Sequence, residues 1–308
     1  VGRPLYLVIE KITASHEEVP RDWAIHGTTG YRFAMVAGGV LIDTNAEAAL
    51  ERLWREFTDL RKRFDQIAYE GKRLVMRQAL SAELTRLTSV LARIAQADRH
   101  TRDYTFNTLR GALAEVVAGM PVYRSYIVAQ ASEQDRRHLD RALAHARRRW
   151  QSPDASVFDF IRRVLLPEAL PPGVPPAAAS EFAARFQQFC APVAAKGVED
   201  TAFYRYGRLL ALNEVGGDPS VFGITPRAFH GASADRAEYW PHTMLTTSTH
   251  DSKRSEDVRS RISVLSEMPA AWRLAVRRLH RMTRSYRSES DGTPLPSAAD
   301  EYLLYQTL

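Results

Sequence analysis

The first ten residues constrain the fold more than any other part of the chain. Pro4-Leu5-Tyr6-Leu7-Val8-Ile9 is a continuous apolar run rich in β-formers, and it stops at Glu10. A run without polar alternation is expected of a strand buried on both faces, as in a parallel sheet. A carboxylate at the C-terminal end of such a strand is where an α/β barrel keeps its catalytic groups. A glycine- and threonine-rich turn follows over residues 27–31, and Gly38-Gly39-Val40-Leu41-Ile42-Asp43 reads as another short extended piece.

From Ala46 to about Arg149 the pattern is helical. Leu80, Leu84, Leu87, Leu91 and Ile94 step alternately by four and three residues, which keeps one helix face apolar. Leu109, Leu113 and Val116 continue the theme. The period changes over Met120 to Ile127, where β-formers predict a strand. A helix is predicted over Glu133 to Trp150, where Arg147-Arg148-Arg149 suits the negative end of the helix dipole. Phe158, Ile161, Val164 and Leu165 predict another. Leu166 to Pro176 holds five prolines and reads as a loop, with helix resuming over Ser180 to Phe189. His242 to Thr249 is strand-like and runs into His250-Asp251, after which Arg254 to Leu265 reads as helix. Strands separated by helices argue for an α/β fold with helical insertions.

Composition narrows the classes. At 308 residues, 45% hydrophobic and 25% charged, the chain has the balance of a soluble globular protein with ample core. The single cysteine, Cys190, excludes an internal disulfide or a thiolate metal cluster. No apolar run approaches the roughly 20 residues of a membrane span, so no membrane partner is expected. Glu10 and Lys11 cut the N-terminal apolar stretch short, which argues against a signal peptide and for a cytoplasmic location. Of 42 basic residues only five are lysine. With a pI near 9.5, the arginine excess suggests a helix-rich nucleic-acid or protein-binding module as one alternative. The arginines mix with acids along helices, however, which favours solvated faces and no nucleic-acid partner.

Two acids at strand ends carry the chemistry, Glu10 and Asp251. Glycosyl transfer needs one carboxyl group to protonate a leaving oxygen and another that stays ionised beside an oxocarbenium-like centre. Whichever acid donates the proton near neutral pH is expected to be buried. The polar run Thr247 to Arg254 puts hydroxyls, a histidine, a lysine and an arginine around Asp251. His250-Asp251 also allows a metal-dependent phosphohydrolase, but such a site needs further ligands, and His230 and His242 stand at no distinctive spacing. Lys196 to Tyr206 gathers a lysine, two acids, an arginine and three aromatics. Such a mixture either packs as a charged helix start or lines a sugar subsite, where aromatic faces stack on pyranose rings. Asn213-Glu214-Val215-Gly216-Gly217-Asp218-Pro219 reads as a structural loop with turn glycines.

Four segments carry a resemblance: Glu10-Lys11-Ile12, His26-Gly27-Thr28-Thr29-Gly30-Tyr31, Lys196-Gly197-Val198-Glu199-Asp200-Thr201-Ala202-Phe203-Tyr204-Arg205-Tyr206, and residues 248–257, Ser-Thr-His-Asp-Ser-Lys-Arg-Ser-Glu-Asp. In this order they resemble the maltooligosyltrehalose synthase family of the α-amylase superfamily, and the likeness continues to residues 300–308. It implies a partial (β/α)8 TIM barrel, from about strand five onward, with a large helical insertion near residues 46–120. Residues 1–308 would then be the second part of one catalytic domain, with no complete separate domain. Glu10 would be the general acid/base and Asp251 the transition-state stabiliser. His250, Lys253, Lys196, Glu199, Asp200, Tyr204, Lys11, His26 and Tyr31 would bind a maltooligosaccharide.

The resemblance implies isomerisation by intramolecular transglycosylation, with no cofactor and no metal, in a monomeric enzyme. Hydrolysis of α-glucans or of maltooligosyltrehalose is the alternative within the superfamily. The superfamily's nucleophile is an aspartate in an Arg-x-Asp-His motif on an earlier strand, and this sequence contains no Asp-His dipeptide. An internal fragment is therefore expected, with strands one to four absent and no activity by itself.

Overall fold

The computed structural model describes residues 5–308, and it is helix-rich, with 59% of the residues helical. Strands β1 (Val8–Ile9) and β2 (Gly27–Thr28) precede helices α1 (Tyr31–Gly39), α2 (Glu47–Thr58) and α3 (Phe64–Gln78). Then come α4 (Ser81–Ala95), α5 (Phe106–Gly119), α6 (Glu133–Arg149), α7 (Ser156–Leu165) and α8 (Pro176–Ala194). The chain closes with α9 (Pro226–Tyr239), α10 (Glu256–Ser263), α11 (Pro269–Met282), the hairpin β3 (Ser288–Ser290) and β4 (Thr293–Leu295), and α12 (Ala298–Thr307). No single helix among the described residues is long and apolar enough to cross a membrane. The chain divides into two compact units, residues 1–67 with 202–308, and residues 68–201.

The unit of residues 68–201 is a helical assembly built on the stripe that the sequence predicts. Leu84, Leu87, Leu91 and Ile94 are all buried, and α4 packs on α5 and α8. Helix α6 starts with a capping box, in which Ser132 and Asp135 bond each other's backbone N–H, and it ends on Arg147–Arg149. Helix α8 is longer than its predicted core because Pro176 sits in its first turn, where the missing N–H costs nothing. It runs into a five-residue π-helical stretch, Ala195–Glu199. There a Cβ on Gly197 would stand 2.6 Å from Lys72 Cα, and one on Gly71 would stand 2.2 Å from the Gly197 carbonyl oxygen. Two glycines are thus what lets the two backbones meet.

The strand predicted over Met120 to Ile127 does not form. Met120, Val122 and Ile127 are buried, but no strand pairs with them. Their backbone groups bond side chains instead: Ile127 N–H to Gln187 Oε1 at 2.5 Å, and Lys72 Nζ to the Met120 carbonyl at 2.8 Å. The apolar signal reported burial, and the hydrogen-bond partner decided the backbone.

The other unit is centred on an aromatic core. Trp54 of α2 meets Tyr302 of α12 at 5.3 Å between ring centroids, and Trp272 of α11 donates its indole N–H to the Tyr302 hydroxyl at 3.0 Å. This packing puts α2, from the stretch predicted as helical insertion, in the unit of residues 1–67 and 202–308. The period of α2 is like that of its successors, but its apolar face is buried with α11 and α12.

Strands β1 and β2 are parallel, with Val8 opposite Gly27 and Ile9 opposite Thr28. The first strand is shorter and more open than its apolar run predicts: Leu5 is 77% exposed and Tyr6 60%. Pro4 lies outside the described residues. The extended piece expected over Gly38 to Asp43 is the end of α1 and a turn. The segment His242 to Thr249 is irregular, yet Met244 N–H bonds the Thr28 carbonyl at 3.1 Å, and Thr28 N–H bonds Thr243 Oγ1 at 2.9 Å. It lies beside β2 without forming a regular ladder.

Candidate active site

The register of β1 and β2 sets the site. Thr29 N–H bonds the Ile9 carbonyl at 3.1 Å, so the chain after β2 leaves beside Glu10, and α1 begins at Tyr31. The Tyr31 hydroxyl donates to Glu10 Oε1 at 2.9 Å. His250 approaches from the segment after β2's neighbour: its Nε2 stands 3.7 Å from Glu10 Oε1 and 3.7 Å from Asp251 Oδ2. One ligand atom from each of Glu10, His250 and Asp251 lies within 4.8 Å of the others. Four residues from three distant stretches of sequence thus share one place. Burial pushes the Tyr31 phenol up to about 12, and the charge on Glu10 and Asp251 adds to the rise.

The site is open. The side chains of His250, Asp251 and Glu10 are 73%, 54% and 51% exposed. The burial expected of Glu10 is not found, because the strand that carries it emerges at the surface of its unit.

Lys11 follows Glu10 just past the end of β1. It is 5% exposed, and its ammonium sits 2.5 Å from Glu17, whose other oxygen accepts the Ala14 N–H at 3.2 Å. Its charge is paired with that of Glu17. His26 lies near the start of the strands, where its Nδ1 accepts the Leu7 N–H at 3.0 Å and its ring meets Tyr6. Lys253 contributes its backbone N–H to a fold contact described below.

The long motif is divided. Lys196, Glu199 and Asp200 belong to the unit of residues 68–201, where Lys196 pairs with Asp200 at 2.7 Å and buried Glu199 accepts the Tyr123 hydroxyl. Tyr204 belongs to the unit that holds Glu10 and is 48% exposed. Burial lowers Arg254 below the usual arginine range, and its interactions with Tyr204 and Glu214 partly oppose the fall.

Three residues to which the sequence reading gave no part in the site support the segments that carry Tyr204, His250 and Asp251. Glu214 is 2% exposed and Arg259 6%, and the two form an ion pair at 3.2 Å. Glu214 also accepts the backbone N–H groups of Lys253 and Arg254, at 2.7 and 3.1 Å. Asn213, 1% exposed, donates to the carbonyls of Phe203 and Tyr206. The one available signal was a charged residue just before paired glycines in a loop read as structural.

No family model matches the chain. A curated maltooligosyl trehalose synthase of Mycobacterium tuberculosis (strain H37Rv) is 35% identical over 272 residues, 88% of this chain. The match takes in only 32% of that relative, so the chain spans about a third of its length. Among solved structures, maltooligosyltrehalose synthase from Arthrobacter ramosus superposes with a TM-score of 0.78 at 35% identity, covering 98% of this chain and 35% of that one. A structure described as DSM5389 glycosyltrehalose synthase gives 0.72 at 28% identity, covering 98% and 34%.

Proposed function

We propose that this chain carries the general acid/base and the electrostatic stabiliser of a maltooligosyltrehalose synthase, within the later part of a (β/α)8 barrel. The observation that carries the reading is the convergence of Glu10, His250 and Asp251 within 4.8 Å. The 35% identity to a synthase and the parallel sense of β1 and β2 support it.

The reaction isomerises the reducing end of a maltooligosaccharide. Glu10 gives a proton to O4 of the terminal glucose as the α-1,4 bond from C1 of its neighbour breaks. Asp251 stays ionised and lowers the energy of the positive charge that builds at that C1 while the superfamily's attacking aspartate bonds it as a glycosyl-enzyme. The terminal glucose turns while still bound, Glu10 takes the proton of its anomeric hydroxyl, and that oxygen displaces the aspartate from C1 to form an α,α-1,1 linkage. No atom is gained or lost, and Glu10 ends as it began. Holding the released glucose in place supplies the effective molarity that keeps water from winning. The superfamily's attacking aspartate has no counterpart in an Asp-His motif of this sequence. The residues described here therefore serve the proton transfers and the charge, not the attack. Tyr31 orients Glu10, His250 and Tyr204 contact sugar, and Lys11 is a strut. We further place the whole enzyme in the cytoplasm as a monomer without a cofactor.

The experiment is product analysis. In the whole enzyme maltopentaose should lose its reducing end with unchanged mass, and Glu10→Gln should cost about 10²–10⁴-fold in kcat. Release of glucose or trehalose as the main product would point to a hydrolase. Wild-type turnover by Glu10→Gln would overturn the assignment.

The same triangle of Glu10, His250 and Asp251 gives a second reading some ground, since its spacing suits a metal ion. Under that reading a phosphate ester is hydrolysed and a chelator abolishes activity. Under the first, trehalose-end formation persists in excess chelator.

A further inference from the structure

The loop of residues 213–217 touches three segments of the site-bearing unit. Asn213 bonds the Phe203 carbonyl at 2.8 Å and the Tyr206 carbonyl at 2.5 Å, so it brackets Tyr204. Glu214 accepts from Lys253 and Arg254, the two residues that follow Asp251-Ser252. Gly216, at a φ of +78°, lies against Ile12, two residues after Glu10; a Cβ there would stand 3.3 Å from the Ile12 side chain.

Glu214 is the strongest of these contacts. A buried carboxylate costs several kcal/mol unless its oxygens are satisfied and its charge is paired. Both oxygens are satisfied here. Oε1 takes the N–H groups of Val215 and Lys253 at 2.8 and 2.7 Å, while Oε2 takes Arg254 N–H and faces the Arg259 guanidinium. Arg259 in turn donates to the Thr247 carbonyl. The segment from Thr247 to Arg254, which carries His250 and Asp251, is therefore held at both ends by one ion pair.

We propose that Glu214 is a positioning residue: with Arg259 it fixes the segment that aims Asp251 at the reacting centre. The inference rests on the function proposed above. Small displacements of a stabilising charge cost rate more than affinity, because the charge acts on what develops in the transition state. Glu214→Gln keeps the shape but turns one acceptor into a donor facing N–H groups. It should lower kcat per folded molecule by about 100-fold and leave KM within a few-fold. It should also speed hydrogen exchange at the Lys253 and Arg254 amides. Arg259→Lys, which keeps the cation, should recover part of the rate lost in Arg259→Gln.

The test measures kcat on maltopentaose, the folded fraction and amide exchange in the whole enzyme and in these variants of it. Unchanged kcat per folded molecule in Glu214→Gln, with unchanged exchange at Lys253 and Arg254, overturns the proposal. If Glu214→Gln does not fold, Arg259→Gln is read by the same two measures and decides in its place. An enzyme that makes no isomer, yet shows faster exchange in the variants, would sink the proposed function and leave the positioning of the segment standing.

Discussion

Tyr31 and Glu10 are joined by a hydrogen bond of 2.9 Å, the phenol donating and the carboxylate accepting. The bond connects the first residue of α1 to the residue after β1, so the helix start and the strand end are registered through the proposed acid itself.

Tyr31→Phe removes that donor while keeping the ring. The loss of one hydrogen bond to a charged group is worth about 1.5–3 kcal/mol, or about 10- to 160-fold. We expect a fall of that size in kcat on maltopentaose, with secondary structure unchanged by circular dichroism. The phenol, held near 12 by burial and by the Glu10 charge, should titrate late in the absorbance of tyrosinate. Its folded-state value is raised, so its contribution to stability is complete below about pH 10 and is lost as the pH rises to about 12.

Breaking the Lys11–Glu17 pair strands a buried charge. Lys11→Met or Glu17→Gln alone should lower unfolding free energy by about 3–5 kcal/mol. Lys11→Met combined with Glu17→Leu should recover most of it. Denaturant titration of the three variants gives the comparison, and equal losses in single and double variants would refute the pairing as the cause.

Lys72 and Cys190 give the unit of residues 68–201 a pH profile. Burial lowers Lys72 from 10.5 to about 8 and raises Cys190 from 9.0 to about 12. The unfolded lysine binds the proton that the folded one sheds, so stability rises from about pH 8 toward 10.5. The unfolded thiol ionises before the folded one, so stability falls from about pH 9 toward 12. The melting temperature should rise from pH 8 to 9, level off to about 10.5, and then fall. Lys72→Met should erase the rise, and Cys190→Ala should reduce the fall, which buried tyrosines share.

Gly197→Ala places a methyl group 2.6 Å from Lys72 Cα, where the obstacle is backbone. Overpacking of this kind costs typically about 1–3 kcal/mol. Urea unfolding should show at least that loss, and a neutral result would mean that the two backbones can part freely.

Much of the architecture was legible in one dimension. The stripe Leu84, Leu87, Leu91 and Ile94 of α4, the arginine-rich end of α6 and the proline loop before α8 are local patterns, and each is found where the pattern places it. The predicted strands fared worse. Met120 to Ile127 and His242 to Thr249 carry β-formers, but a strand requires a partner backbone, and Gln187 supplies what a neighbouring strand would have supplied to Ile127.

The sequence by itself determined the helices, the acids worth watching and the resemblance, because periodicity, chemistry and motif order are written along the chain. Only the tertiary structure decided that Glu10, Tyr31, His250 and Asp251 meet, that Lys11 turns to Glu17, and that Glu214 supports the segment behind Asp251. Burial and charge pairing join Glu214 to Arg259, some 45 positions apart, and no local pattern records which carboxylate will find which cation once water has been removed between them.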